Sequence, residues 1–424
     1  MTSEFAFDPF DARQTQHMWD RLARMRREAP VTRPIPGFVF VARYRDVKAV
    51  FRDTATFSSR EGFRGPGVKL PYEESFLGEL DPPEHPKLRM LMLQAFRPGM
   101  ERAAEPFTRA WAGRKLSEIA AKGGGDLVSE LGIHLPPAVT AHMLGIPTDE
   151  IERVGQWGFE LLHSDWPQWN RTERGEGLGG AFPELAQFLD EQIALRLRAA
   201  HPPDDLITRM TRAEVQGQRL SPLQIRTLCA NCLLASQSTA NLVGNLLYRL
   251  LGDAELERRL REQPRLIPAA VEESLRFDAP VLFLFRTARV DCEIAGEKVR
   301  AGERIILGIA SGNRDESVFE HANEFCLERD WKSAPEILTF GPGPHLCLGN
   351  MIARMEARVL IELALEKFAP GELRLAPGFE RTLVPMFLEY GPERLDVVLA
   401  RGNHERRNSL RGRRPGRDDP PESS

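Results

Sequence analysis

The ten residues from Phe340 to Gly349, F-G-P-G-P-H-L-C-L-G, constrain this chain more than any other stretch. Glycine permits backbone conformations that other residues resist, and proline fixes φ and removes a donor. The stretch therefore predicts a rigid, tightly turned loop that presents Cys347. A helical apolar periodicity follows from Asn350 to about Phe368. Cys347 is thus expected at or near a helix N-terminus, where the partial positive charge favours the thiolate.

A thiolate in such a loop has three candidate roles. A nucleophile needs a base, and His345 lies two residues away; a redox thiol needs a resolving cysteine, and none is close in sequence. The third role is a metal ligand. The string F-G-x-G-x-H-x-C-x-G resembles the haem-binding loop of the cytochrome P450 family at every fixed position, including Gly349. The resemblance implies that Cys347 is the axial thiolate on haem iron, that Phe340 packs on the sulfur side, and that His345 binds a haem propionate.

Composition excludes several classes of protein. The 424 residues predict two or three domains by length alone, and 42% apolar residues are enough for a large core. A net charge of −4 gives no case for nucleic acid. Five scattered cysteines argue for a reducing cytosol. The start of the chain carries no signal peptide or anchor pattern, and no stretch approaches the ~20 apolar residues of a membrane span, so we expect a cytoplasmic protein.

Further motifs of the same family occur in the family's order. His85 and Arg89 are four apart, so on a helix they share one face that suits an anionic partner. Alone, such a pair is usually a solvated face. The resemblance assigns it to one haem propionate and Arg286, in R-T-A, to the second.

A second pair is structural by the same resemblance. Glu273 and Arg276 in E-E-S-L-R can pair at i,i+3, and Arg329 is the third partner. The resemblance implies that this triad locks the approach to the haem loop.

A long helix is predicted from Ser221, with Pro222 at its first position, to about Leu251. Polar residues interrupt its middle, L-L-A-S-Q-S-T-A-N-L, which resembles the family's central helix on the distal side of the haem. There the family has a glycine, an acid and an alcohol that deliver protons. Here Ala235, Gln237 and Ser238 stand in those places.

Glutamine cannot give up a proton at neutral pH and can only orient water, whereas serine can replace threonine in hydrogen bonding. A shift of one residue would instead put Ser236 or Thr239 in the place of the alcohol.

The resemblance also predicts a substrate pocket. Its expected lining is apolar: Leu234, Ala235, Val281, Leu282, Phe283, Met386 and Phe387. The substrate is therefore expected to be a lipophilic small molecule.

The predicted fold is mainly α with a small β-rich part, the cytochrome P450 fold, in a single large domain. We expect the haem-thiolate domain over residues 1–400 and a disordered, arginine-rich tail over 401–424. The resemblance overrides the length-based expectation of several domains.

The predicted activity is that of a monomeric monooxygenase that carries haem b and inserts one oxygen atom from O₂ into its substrate. No flavin or nicotinamide motif is present, so electrons are expected from a separate ferredoxin and its NAD(P)H-dependent reductase. Gln237–Ser238 keeps a peroxide-driven or otherwise atypical haem-thiolate enzyme as an alternative. A non-catalytic haem protein that binds a ligand is the alternative from another class.

Overall fold

The computed structural model describes residues 7–11, 14, 18–60, 62, 64–65, 67–384 and 388–400. Helices dominate this part of the chain. The α-helices are α1 (Met18–Glu28), α2 (Tyr44–Arg52), α3 (Glu84–Ala95), α4 (Met100–Lys122), α5 (Leu135–Leu144), α6 (Ile151–His163), α7 (Trp166–Trp169), α8 (Gly177–Ala181), α9 (Pro183–Arg198), α10 (Leu206–Arg212), α11 (Pro222–Ser236), α12 (Ser238–Gly252), α13 (Ala254–Glu262), α14 (Ile267–Phe277), α15 (Ile309–Asn313) and α16 (Asn350–Lys367). Short helical turns span Tyr72–Glu74, Leu77–Glu79, Val128–Gly132, Thr148–Glu150 and Pro264–Leu266.

The strands are short. They are β1 (Val31–Thr32), β2 (Phe38–Val41), β3 (Phe57–Ser58), β4 (Gly124–Asp126), β5 (Arg171–Thr172), β6 (Gly175–Glu176), β7 (Glu214–Val215), β8 (Gln218–Arg219), β9 (Phe283–Ala288), β10 (Cys292–Ile294), β11 (Glu297–Val299), β12 (Arg304–Gly308), β13 (Leu373–Leu375) and β14 (Asp396–Leu399).

The largest sheet has five strands in the order β1-β2-β12-β9-β3. β2 and β12 run parallel, and the other neighbours are antiparallel. A second sheet joins β13-β14-β4, and β5-β6, β7-β8 and β10-β11 form two-stranded ribbons. β9 carries Arg286 and is paired on both sides, so the sheet fixes the backbone of this predicted site residue.

Two hydrophobic cores lie within one domain. The larger core is helical and includes Trp111, Leu233, Leu275 and Leu360. The smaller core surrounds the five-stranded sheet. α16 packs against α4, α12 and α14. This arrangement confirms the predicted mainly α fold with a small β-rich part, and the expectation of several domains from length is wrong.

The central helix begins as predicted. Ser221 Oγ accepts from the Gln224 N–H at 3.2 Å, and Gln224 Oε1 accepts from the Ser221 N–H at 2.9 Å, so the two form a capping box.

The helix is not continuous. It is interrupted at Gln237, whose N–H bonds the Leu234 carbonyl three residues back at 3.3 Å. The hydroxyls of Ser236 and Ser238 bond the carbonyls of Leu233 and Ala235. Such serine back-bonding bends helices. The polar stretch therefore produces a break in the helix, which the prediction of one long helix missed.

Among the described residues, no helix is both long and apolar enough to cross a membrane.

Candidate active site

The cysteine loop has the tight geometry that its sequence predicts. The Cys347 N–H donates to the Phe340 carbonyl at 2.9 Å and closes the loop. Gly343 has φ +111°, and a Cβ there would lie 3.2 Å from the Phe51 carbonyl oxygen, so this position needs glycine. The N–H groups of Gly349 and Asn350, where α16 begins, point at the sulfur.

The loop alone does not make Cys347 a thiolate. Burial raises the pKa of the thiol, and this outweighs the opposite effect of the Gly349 and Asn350 N–H groups and of Arg89 and Arg354. The N–H groups at the helix N-terminus do favour the thiolate, as expected, but in the polypeptide by itself burial outweighs them. A cation bound at the sulfur would reverse the balance.

Cys347 lines a cavity. Protein atoms surround the Cys347 thiol and shield it from bulk water, yet part of the residue still has accessible surface. An internal space next to the sulfur accounts for both. Ala235, in the middle of the central helix, is exposed as well. The Cys347 thiol adds to the raised pKa of Cys232, three residues before Ala235, so the cysteine loop faces the central helix across this space.

Buried donors without partners surround the same space. The rings of His85 and His345 stack at 3.8 Å between centroids. His85 Nε2, His345 Nδ1 and Arg286 Nε are buried and have no hydrogen-bond partner in the part of the chain that the structure describes. Arg89 donates to the Leu346 carbonyl at 2.7 Å and so joins α3 to the loop.

The electrostatics of this group point to an anion. Burial lowers the pKa of His85 to about 4 and that of His345 to about 2, and neighbouring arginines add to both shifts. Burial also lowers the pKa of Arg286 to about 10. Buried donors are costly unless they are paired. An anionic group between the imidazoles and guanidiniums would satisfy them.

These residues fit haem. The two propionates of a haem would accept hydrogen bonds from the unpartnered donors, and its iron would bind the sulfur of Cys347. The structure brings together His85, Arg89, Arg286, His345 and Cys347, which the sequence predicts as haem ligands and contacts. Phe340 packs under the guanidinium of Arg354 at 4.4 Å. Arg354 is also one of the cations that act on the sulfur.

The predicted structural triad also comes together. Glu273 and Arg276 are fully buried, and Arg276 Nη2 lies 2.7 Å from Glu273 Oε1. Arg329 Nε lies 3.1 Å from Glu273 Oε2. Arg276 also donates to three carbonyls, those of Asn313, Ala322 and Glu324. The triad thus ties α14 to the segment that leads to the cysteine loop.

The two predicted catalytic residues face different ways. Ser238 is half-buried, and its hydroxyl donates to the carbonyl of the exposed Ala235. Gln237 is 3% exposed, and its Nε2 has no described hydrogen-bond partner. A Cβ at Gly158 of α6 would lie 3.6 Å from that atom. Gln237 therefore points at α6, away from the side on which Ser238 lies.

The structure corrects one pocket residue. Phe283 is fully buried and packs on Phe7 and Phe40 in the core of the sheet. Because side chains alternate along a strand, Leu284 shares the face of Arg286, and Phe283 does not. Leu284 is half-buried and was not predicted.

The other predicted pocket residues differ in exposure. Leu234 and Val281 are half-buried, whereas Leu282 is fully buried. Met386 and Phe387 lie outside the described residues.

Two polar pairs were not predicted from the sequence. Glu389 accepts a hydrogen bond from Asn241 of α12, and Arg64 is paired with Glu79 inside the protein. A charged residue next to an apolar run, as in M-F-L-E-Y, is the only sequence signal for Glu389. Arg64 lies in a stretch without periodicity, so no pattern marks it.

Comparison with known proteins agrees with this geometry. The family model for cytochrome P450 matches residues 14–374. The erythromycin C-12 hydroxylase of Saccharopolyspora erythraea is 33% identical over 82% of this chain and 86% of its own length. The linalool 8-monooxygenase of Pseudomonas putida is 30% identical over 81% of this chain and 87% of its own. A solved cytochrome P450 from Chondromyces apiculatus superimposes with a TM-score of 0.82 at 29% identity, covering 93% of this chain and 98% of that one.

Proposed function

The chain belongs to the cytochrome P450 family and is a haem monooxygenase, and from this premise we propose that it oxidises a lipophilic small molecule with O₂ and electrons from a separate ferredoxin. The proposed product carries one added oxygen atom, as a hydroxyl or an epoxide. The observation that carries the proposal is the group of unpaired buried donors beside Cys347.

Each residue of that group has a proposed role. Cys347 would hold the iron, and His85, Arg89, Arg286 and His345 would hold the propionates of haem b. When bound, a thiolate-ligated haem supplies the activation of O₂. The triad of Glu273, Arg276 and Arg329 positions the loop and does not touch the cofactor.

Proton supply is the unusual part of this site. The Ser238 hydroxyl donates its hydrogen to the Ala235 carbonyl. Its oxygen is therefore free to accept a hydrogen bond from a water in the cavity. Gln237 can orient water but cannot release a proton. This substitution supports a second candidate function, turnover with peroxide, which brings its own protons and electrons.

The lipophilic substrate class rests on the cavity lining. Leu234, Ala235, Val281 and Leu284 have accessible surface near the central helix and β9. The named relatives act on erythromycin and linalool. We propose a substrate that is mostly apolar.

The electron donor would dock by apolar contact. Around the cysteine loop Met90, Leu93 and Met351 are 52%, 49% and 53% exposed. Arg354 and Arg358 lie nearby, but they are paired with Glu272 and Glu105. A ferredoxin with its NAD(P)H-dependent reductase is the proposed source of electrons.

We also propose that residues 1–400 form the haem domain of a monomer, and that residues 401–424, which lie outside the described residues, are a disordered tail. Cytoplasmic location is supported by the free state of the five cysteines.

The test compares two cysteine variants. Cys347→Ser should abolish the absorption signature of thiolate-ligated haem in the reduced, CO-bound protein. Cys326→Ser is the control, since that half-buried cysteine lies outside the haem loop. A thiolate signature that survives in Cys347→Ser would contradict the proposal. Product formation with a ferredoxin chain and with peroxide, measured on the unaltered protein, separates the two candidate functions.

A further inference from the structure

One buried carboxylate has no role in the reaction described so far. Glu389 lies beside Val281 in an isolated β-bridge, and the neighbouring Leu388 carbonyl accepts from the Leu282 N–H at 2.8 Å. Glu389 is thus fixed next to the segment that leads into β9 and its haem contact Arg286. It also follows directly the apolar stretch that is predicted to reach the pocket.

A single neutral partner holds this carboxylate among the described residues. Asn241 Nδ2 donates to Glu389 Oε2 at 2.8 Å. Asn241 lies on α12, one helical turn after Gln237 and close to Ser238. Its Oδ1 packs against Gly391, where a Cβ would approach to 2.3 Å. The turn therefore fixes the amide so that its NH₂ group faces the carboxylate.

No described lysine or arginine neutralises Glu389. Arg381, eight residues before Glu389, donates to Asn245 Oδ1 at 2.6 Å and lies 4.6 and 5.0 Å from the ring centres of Tyr248 and Tyr390. His163, at the end of α6, is the titratable group that acts on the carboxyl. Burial still dominates and raises the pKa of Glu389. A buried carboxylate with so little compensation is costly unless a cation completes it.

The carboxylate is accessible from within the molecule. Protein atoms surround the Glu389 carboxylate and shield it from bulk water, yet the residue keeps some accessible surface. Cys347 shows the same combination, and it lines the cavity. Three elements meet at Glu389: α12 through Asn241, the end of α6 through His163, and the segment 388–392. Asn241 follows Gln237 by four residues and Ser238 by three, so the helical repeat places it between them, next to the face on which Ser238 meets the cavity.

We infer that Glu389, positioned by Asn241, binds the cationic amine of an otherwise lipophilic substrate. The inference rests on the proposed function and narrows its substrate class. The amine would replace the missing protein cation, and the apolar body would lie along Leu234 and Leu284. Glu389 is then a specificity residue that contacts substrate and takes no part in the oxidation itself.

The experiment uses two probes of equal chain length on the haem-loaded protein. Dodecyltrimethylammonium is a permanent cation that cannot ligate iron, and 1-dodecanol is its neutral counterpart. Binding is measured by calorimetry and by the shift of the haem absorption band. We expect the cation to bind more tightly than the alcohol. Glu389→Gln should weaken binding of the cation by about tenfold to hundredfold, the range for a partly desolvated contact between opposite charges, and leave binding of the alcohol within about twofold.

The control variant is Glu393→Gln. Glu393 directly follows the segment 388–392 but is exposed, so loss of its charge should change the affinity for neither probe. Glu389→Gln keeps the size and hydrogen-bonding capacity of the side chain, and its circular dichroism and haem content report on folding.

The pH dependence isolates the carboxyl. Because the cation requires an ionised Glu389, its affinity should rise with pH through the raised pKa of this group and should be flat in Glu389→Gln. Asn241 does not titrate, and His163→Gln removes the one described histidine that faces the site. The inference is supported if the affinity for the cation still rises with pH in His163→Gln but no longer depends on pH in Glu389→Gln.

Two results would overturn it: a cation that binds no more tightly than the alcohol, or equal losses for both probes in Glu389→Gln. Either result, with alcohol binding and the thiolate signature intact, would leave the proposed function standing. Loss of the thiolate signature in the unaltered protein would instead contradict the proposed function.

Discussion

The guanidinium of Arg64 and the carboxylate of Glu79 meet inside the protein, with Nε 2.6 Å from Oε1 and side chains that are 2% and 5% exposed. The same guanidinium donates to the carbonyls of Trp166 and Pro167 at 2.9 and 3.0 Å. It also lies 5.0 Å from the ring centre of Phe76. One side chain thus fastens the long loop before α3 to α7.

Arg64→Met should release that fastening. The change leaves the Glu79 carboxylate buried without its ion-pair partner. We therefore expect the free energy of unfolding to fall by about 3–5 kcal/mol. Backbone amides of residues 164–169 and 72–79 should exchange faster with deuterium. Lys69→Met is the matched control, because Lys69 lies in the same loop and is exposed. Unchanged exchange in the Arg64 variant would mean that packing of Trp166 alone holds the loop.

The two arginines of the triad should differ in importance. Arg276 is fully buried and bonds three carbonyls besides Glu273, so Arg276→Met leaves several buried acceptors unpaired. We expect the free energy of unfolding to fall by more than about 4 kcal/mol. Little haem-loaded protein should then be obtained. Arg329→Met should cost less, because Glu273 keeps its bonds to Arg276. Equal melting temperatures and haem yields for the two variants would contradict this ranking.

Gln237→Glu should improve the use of O₂. The unpartnered Nε2 becomes an oxygen that can carry a proton, at the buried position that precedes Ser238 in the chain. With a ferredoxin chain, we expect more product per NAD(P)H consumed and less peroxide released. Turnover driven by added peroxide should change little. If the ratio of product to NAD(P)H stays the same, proton supply does not depend on this position.

Glu356 should make stability depend on pH. It lies on α16, is 2% exposed, and has no described partner for Oε2; burial raises its pKa from 4.5 to about 8. The folded carboxyl therefore keeps its proton where the unfolded one has lost it. The free energy of unfolding should fall as pH rises from about 4.5 to about 8 and level off above.

Glu356→Gln should remove that slope, which we expect to be about 2–4 kcal/mol between pH 5 and 8. Denaturation curves of the haem-loaded protein at three pH values measure it. Glu366→Gln on the same helix is the control, since Glu366 is 67% exposed. Parallel slopes for the original protein and the Glu356 variant would show that the carboxyl is solvated or paired in solution.

The haem loop and its contacts could be predicted from sequence because their chemistry is written in consecutive residues. The F-G-x-G-x-H-x-C-x-G string, the four-residue spacing of His85 and Arg89, and the Glu273–Arg276 pair each specify a local geometry that the structure keeps. The helix break at Gln237 could not be predicted. Hydrogen bonds from serine hydroxyls to backbone carbonyls differ little in free energy from the helical hydrogen bonds with which they compete, so the sequence does not show which will form.

The cavity wall was less predictable, because strand registers and distant contacts decide it. A shift of one residue along β9 decides whether Phe283 or Leu284 faces Arg286. Glu79 is only 15 residues from Arg64, but the Trp166 partner of Arg64 and the Asn241 partner of Glu389 lie 102 and 148 residues away in sequence. No local pattern reports such encounters.

The division of the interior into two cores has an evolutionary consequence. Ala235, Ser238, Cys347 and Glu389 belong to neither hydrophobic cluster. Leu234, Val281 and Leu284 of the proposed wall only border the two clusters and are half-buried, so mutations there should disturb the packing less than mutations in the cores. Relatives that share only about a third of their residues with this chain, and that are named for erythromycin and for linalool, illustrate that freedom. The scaffold is inherited, and the choice of substrate is left open to selection.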